Sequence, residues 1–237
     1  MLKRVIFAGA ALAFISSTAW ADTGPYPQQS CSLPHYVIEK VQGELKTVVK
    51  ENNGGLFSPN MMWSAIVDRK GVICSVISTR DFDPKSDPWP GSRDIAMAKA
   101  FAANAFSNSK LAISTANLYA PTQPGGSLYG LNNSNPFNPE FNPQGTGINR
   151  VAGGIITFGG GVALYENGQV IGGLGVSGDT SCADHAISYR MRKAAGFDKI
   201  PGGPNTSGND NIEYPNPGPA PTGFQQPHCL GNKDVTP

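Results

Sequence analysis

The stretch from Gly153 to Val176 constrains the fold most. Its apolar runs are Ile155–Phe158, Val162–Tyr165 and Gln169–Val176, and they are separated by Gly159-Gly160-Gly161 and by Glu166-Asn167-Gly168. An Asn-Gly pair between two apolar runs marks a tight hairpin, because both residues tolerate the positive φ that such a turn requires. Connections this short join antiparallel neighbours, so the segment reads as a meander of strands. The glycines do not form a phosphate cradle: no Gly-Lys-Ser/Thr follows them, and the runs lead from strand to strand before any helix.

A second hairpin is legible upstream, where Met62–Asp68 and Val72–Ile77 flank Arg69-Lys70-Gly71. Helical patterns alternate with these strands. Val37, Val41, Leu45 and Val48 recur at helical spacing from Pro34 until Asn52-Asn53-Gly54-Gly55 ends the helix. A second helix, capped near Ser92, presents Ile95, Ala98, Ala102 and Ala105, a small-residue face suited to close packing on a sheet or to a flat ligand. The third starts after Gly178 with Asp179 and Ser181 as capping candidates. It carries Ala183, Ile187, Met191 and Ala194, places Arg190, Arg192 and Lys193 in its last turns, and stops at Gly196. This order implies an α+β domain over residues 34–199, an antiparallel sheet flanked by helices. Within it, residues 121–149 form a long loop rich in Asn, Pro and Gly, whose Tyr119, Tyr129, Phe137 and Phe141 are expected to fold down onto something. Residues 200–237 read as a Pro/Gly-rich arm, ordered where Cys229 pins it.

The first residues have a separate logic. Lys3 and Arg4 precede an apolar run from Val5 to Ile15, and Ala19-Trp20-Ala21 closes the segment, as in a cleavable signal peptide over residues 1–21. A short arm over 22–33 follows. The chain is therefore expected to be periplasmic or secreted, with no stable membrane insertion. The whole sequence has 18 basic and 17 acidic residues. Loss of Lys3 and Arg4 leaves the acidic groups one ahead, without the basic footprint of a nucleic-acid binder. Four cysteines in an exported chain imply two disulfides, and their spacing matches no zinc motif. Of the three possible pairings we expect Cys31–Cys229, which would tie down both terminal extensions, leaving Cys74–Cys182.

Several of these elements occur together in one known pattern. Val67-Asp68-Arg69-Lys70-Gly71, Ala96-Met97-Ala98-Lys99-Ala100, Gly153-Gly154, and Gly175-Val176-Ser177-Gly178 followed by Asp184 resemble the GlcG/HbpS-like haem-binding family, in the family's order, across nearly all of residues 34–198. The resemblance implies a profilin-like fold with a five-stranded antiparallel sheet, homo-oligomers built from dimers, and haem or a related tetrapyrrole as cofactor. It also implies a role in haem handling or oxidative stress. One departure matters: many relatives carry, three residues after the lysine, a threonine able to face haem iron, and here that position is Ala102.

Haem iron is usually held by His, Met, Cys or Tyr. His185 stands just beyond the Gly-Val-Ser-Gly strand, with Asp184 beside it to orient the ring, and is the leading metal-ligand candidate. His35, His228 and Met97 are weaker ones. Lys99 is a candidate partner for a propionate, and the Ser177-Gly178 peptides precede a helix start, where free N–H groups attract anions. No serine-nucleophile elbow is present. Two other classes stay open. One is a non-haem small-molecule binder or an enzyme acting on a small organic acid through Asp68 and Asp184; the other is a ligand-free interaction module.

Overall fold

Alternation along the strands decides which residues face which layer. The structure, a computed structural model, describes residues 30–136, 145–215 and 223–237. The signal peptide over 1–21, most of the arm over 22–33, and Phe137 and Phe141 lie outside them. The first helical pattern forms two consecutive helices, α1 (His35–Gly43) and α2 (Leu45–Val48). Hairpin β1 (Trp63–Asp68) and β2 (Ile73–Ser78) follows, then α3 (Ser92–Ala105), the single turn α4 (Tyr119–Thr122), hairpin β3 (Gly161–Glu166) and β4 (Gln169–Ser177), and α5 (Ser181–Ala194). The strands build one antiparallel sheet in the order β2-β1-β4-β3.

Ile66 of β1, Val162 and Leu164 of β3, and Leu174 and Val176 of β4 point to one face. There they meet Val37, Val41, Leu45 and Val48 of the first two helices and Ile187 and Met191 of α5 in the main core. The alternate residues Trp63, Ala65 and Val67 point to the other face and pack against Ala96, Met97 and Ala100 of α3. The sheet is thus covered by helices on both sides. On the α3 face, β4 carries glycines for a steric reason: a Cβ at Gly175 would collide with the Ala96 carbonyl, and one at Gly173 with that of Ala100. Helix and sheet approach almost backbone to backbone. The side of α3 on the sheet is accordingly Ala96 and Ala100. Of the face expected to make this contact, Ala98 and Ala102 are buried, Ile95 is half-buried and Ala105 is exposed.

Six expectations need correction. The sheet has four strands among the described residues where five were expected. Gly153 and Gly154 adopt φ of 62° and 74°, which takes Gly153–Phe158 out of an extended path. Only residues just before them pair with the sheet, with Ile73 N donating to Arg150 O and Ala152 N to Gly71 O. The two disulfides are Cys31–Cys74 and Cys182–Cys229, not the pairing expected. Cys74 is the second residue of the edge strand β2, near the end of the sheet opposite Ser177, whereas Cys182 follows Ser177 into α5. Four residues of strand, ~13 Å, separate those ends, beyond a disulfide's span of about 4.4–6.8 Å between Cα atoms.

The α5 N-cap is Thr180, whose side chain accepts from Ala183 N; Asp179 is committed elsewhere. Tyr129 in the 121–149 loop is 68% exposed and does not pack on the core of its own chain, while Tyr119 is half-buried. Finally, the C-terminal arm packs well before Cys229. Asp210, Asn211 and Ile212 are buried against α5, because Asp210 makes a two-pronged ion pair with Arg192, at 2.6 and 2.7 Å. Arg192, placed by sequence at a helix end where it complements the dipole, is instead fully enclosed between Asp210 and the Tyr189 ring.

Candidate functional site

Two places on this frame gather chemically capable side chains. The first unites most of the residues singled out from sequence. Lys99 reaches from α3 to Asp184 at the start of α5, with Nζ 2.6 Å from Oδ2, and also donates to Val176 O at 3.1 Å. Asp184 Oδ1 accepts from Asp179 N, and the Phe158 ring lies 4.7 Å from the ammonium. Lys99 and Asp184 are 0% and 1% exposed. Burial pushes the Asp184 carboxyl up to about 6 and the Lys99 ammonium below its ordinary range, each shift being opposed by the other's charge. Ser177 is buried at the end of β4, and Gly178 is required because a Cβ there would strike the Met61 carbonyl. These groups form a sealed pin joining helices from opposite faces of the sheet. No anion reaches Lys99 or the Ser177-Gly178 peptides without opening the core.

The histidines are equally committed. His185 is fully buried; its Nε2 accepts from Ile212 N at 3.0 Å beside Asn211 Oδ1, and Nδ1 has no hydrogen-bond partner among the described residues. Burial pushes its pKa down to about 4, so the ring is neutral at neutral pH. His35 is exposed on α1, 3.3 Å from Glu39. His228 lies 2.6 Å from Asp234 and 2.9 Å from Pro215 O, acceptors that hold its pKa above the ordinary value. Met97 is core. Asp68 and Asp184 are not brought together: Asp68 ends β1 at the far end of the sheet, where it accepts from Ser32, Lys70 and Val72.

Burial of a neutral His185 has a measurable consequence. An ordinary histidine titrates near 6.5, so between pH 6.5 and about 4 the unfolded chain binds a proton that the folded chain refuses. His185 therefore contributes stability that is fully present above pH 6.5 and is lost as pH falls toward 4. Denaturation of wild type and His185→Gln between pH 7 and pH 4 should show wild type losing about 3 kcal/mol more than the variant. Parallel pH profiles would refute the assignment.

The second place was not visible in the sequence. A groove of about 490 Å3 opens between α2, the loop Phe57–Met61 and the segment Thr79–Ser86. Its apolar walls are Val49, Phe57, Pro59, Met61 and Phe82, and Lys46, Lys50 and Lys85 stand at its rim against one carboxylate, Asp83. None of these lysines forms an ion pair among the described residues. Beside it Trp89, 48% exposed, meets Phe57 edge to face with centroids 5.6 Å apart. Asp179 shapes the near wall, accepting from Leu56 N, Phe57 N and the Asn60 side chain. Lys46 and Lys50 at four-residue spacing were the available signal, but only tertiary folding sets them opposite Phe82 and Lys85.

A family model described as haem degrading protein HbpS-like matches residues 61–191. This chain belongs to the HbpS-like family. The match runs from the groove wall at Met61 through the Lys99–Asp184 pin to Met191 beside Arg192. Among solved structures, the HbpS-like chain is similar to the Klebsiella pneumoniae protein ORFY, at 24% identity and a TM-score of 0.51 over 71% of this chain and 94% of that one. It is also similar to PduOC, solved as a haem complex, at 25% identity and a TM-score of 0.50 over 68% and 94%. A curated relative is the corrinoid adenosyltransferase PduO of Citrobacter freundii, 35% identical over 102 residues. This chain aligns with 24% of PduO's length, through 41% of its own.

Proposed function

We propose that this HbpS-like chain is an exported tetrapyrrole-binding protein, with haem as its ligand, acting in haem handling or the response to oxidative stress. The observation that carries the reading is the 25% identity to a chain solved with haem, through 94% of that chain. The geometry supports binding in preference to turnover, because the ionisable pair most suited to acid–base work, Lys99 and Asp184, is closed to solvent. It also supports a place for the ligand. A porphyrin is flat and apolar with two carboxylates on one edge, and the groove pairs apolar walls with a lysine rim; its volume lies in the range of about 300–1,000 Å3 usual for such sites.

Export is supported by the two disulfides, which form and persist in oxidising compartments. No helix among the described residues is long and apolar enough to cross a membrane. A homo-oligomer built from dimers belongs to the same proposal.

A haemin titration of the disulfide-intact protein, followed by visible absorption, tests the reading. Saturable binding with a displaced Soret band is expected in wild type and equally in His185→Gln, whose ring is sealed beneath Asn211 and Ile212. Absence of saturable binding would refute it, and loss of the shift in His185→Gln alone would return the ligand site to α5.

A further inference from the structure

The groove combines a feature of most haem pockets with the lack of another. It has the apolar walls and the cationic rim. Among the described residues it does not present a strong iron ligand, because no His, Cys or Tyr of theirs lines it. Its single sulfur, Met61 Sδ, already accepts a hydrogen bond from Asp87 N at 3.3 Å. The three histidines are buried, paired with Glu39, or held by Asp234 and Pro215, as described above.

From this juxtaposition we infer that the groove recognises a tetrapyrrole by its carboxylates and its flat apolar face, independently of any metal at its centre. The ligand class is the porphyrin dicarboxylate, iron-loaded or metal-free. This rests on the tetrapyrrole reading and adds to it a site and a rule of selection. Lys46 and Lys50 lie one turn apart on the α2 side and Lys85 on the opposite rim, so the anionic edge of the ligand meets cations on two elements. An ammonium serves such an edge as a mobile point charge. Phe57, Phe82 and Met61 offer the face of the macrocycle its apolar contacts, and the partly exposed Trp89 ring against Phe57 reports on occupancy. Because the lysines are at the rim, in water, the attraction is screened by salt, and affinity falls as salt is added.

The test uses the full disulfide-bonded protein and three probes: haemin, protoporphyrin IX without metal, and haemin dimethyl ester, in which both carboxylates are masked. Quenching of tryptophan fluorescence reads binding for all three, with Trp89→Phe expected to lose most of the quenched signal. Protoporphyrin IX should bind within about threefold of haemin, and the ester about tenfold more weakly or worse. The double variant Lys46→Glu/Lys85→Glu should lose about tenfold for both acids and nothing for the ester, whereas Lys193→Glu, an exposed lysine outside the groove, should lose neither. Haemin binding without protoporphyrin binding would overturn metal-independence. Equal binding of the ester, or an unaffected double variant, would overturn the lysine clamp. Either result leaves haem binding intact, whereas failure of all three probes would remove both proposals together.

Discussion

Replacing Lys99 with methionine should cost about 3–5 kcal/mol of folding stability, because it leaves the Asp184 carboxylate buried with no compensating charge. The same principle predicts that removing both charges does far less harm. A Lys99→Met/Asp184→Leu double variant, apolar on both sides of the pin and of similar volume, should regain most of what the single variant loses. The positive coupling in a double-mutant cycle is the diagnostic quantity. Equilibrium denaturation in urea at pH 7 measures it. If the double variant is as unstable as the sum of the single ones, Lys99 and Asp184 act separately and the pin is not a pair. The haemin affinity of a folded double variant should match wild type, since neither side chain reaches solvent.

Loss of the Cys182–Cys229 bridge should be of similar size. The bridge closes 47 residues of sequence, and chain-entropy arguments assign about 4 kcal/mol to a loop of that length. The effect should also be local in character. Gln226, inside the closed loop, accepts from Gly159 N at 2.6 Å and donates to Ser181 Oγ at 2.8 Å, and Asn211 donates to the Pro237 carbonyl at 2.9 Å. These contacts hold residues 223–237 over the start of α5. In a Cys182→Ser/Cys229→Ser variant, limited proteolysis should therefore cut the tail before the sheet, with the melting temperature lowered. A tail as resistant as in wild type would mean that its hydrogen bonds suffice without the bridge.

Both effects involve long-range partners, and this separates what could be read early from what could not. The hairpins were legible because Arg69-Lys70-Gly71 and Glu166-Asn167-Gly168 act within a few residues, and the three long helices because their apolar spacing is local. The fifth strand failed for a local reason of another kind. Its residues have strand propensity, yet Gly153 and Gly154 take positive φ in the folded chain, a choice glycine permits without requiring. Arg192 shows the other limit: its position in a last helical turn has an adequate local explanation, and nothing in the sequence names Asp210 as its partner.

The candidate site divides in the same way. The fold brings Lys99, Asp184, Ser177 and His185, candidates named one by one from sequence, close to the same end of the sheet and buries them, and that solvent access was not readable. Whether a lysine binds an anion or pins a core depends on what covers it. Here the cover comes from Phe158 and Gly160, supplied from a distant part of the chain.

By itself, then, the sequence determined the α+β class, the order of helices and hairpins, the presence of two disulfides and the family, since each rests on local periodicity, turn chemistry or an ordered set of motifs. Only the tertiary structure decided which cysteines pair, which ionisable groups are sealed, and that Lys46, Lys50 and Lys85 share a groove with Phe57, Met61 and Phe82. Pairing, burial and concavity are properties of residues far apart in the chain and adjacent in space, and no local pattern encodes them.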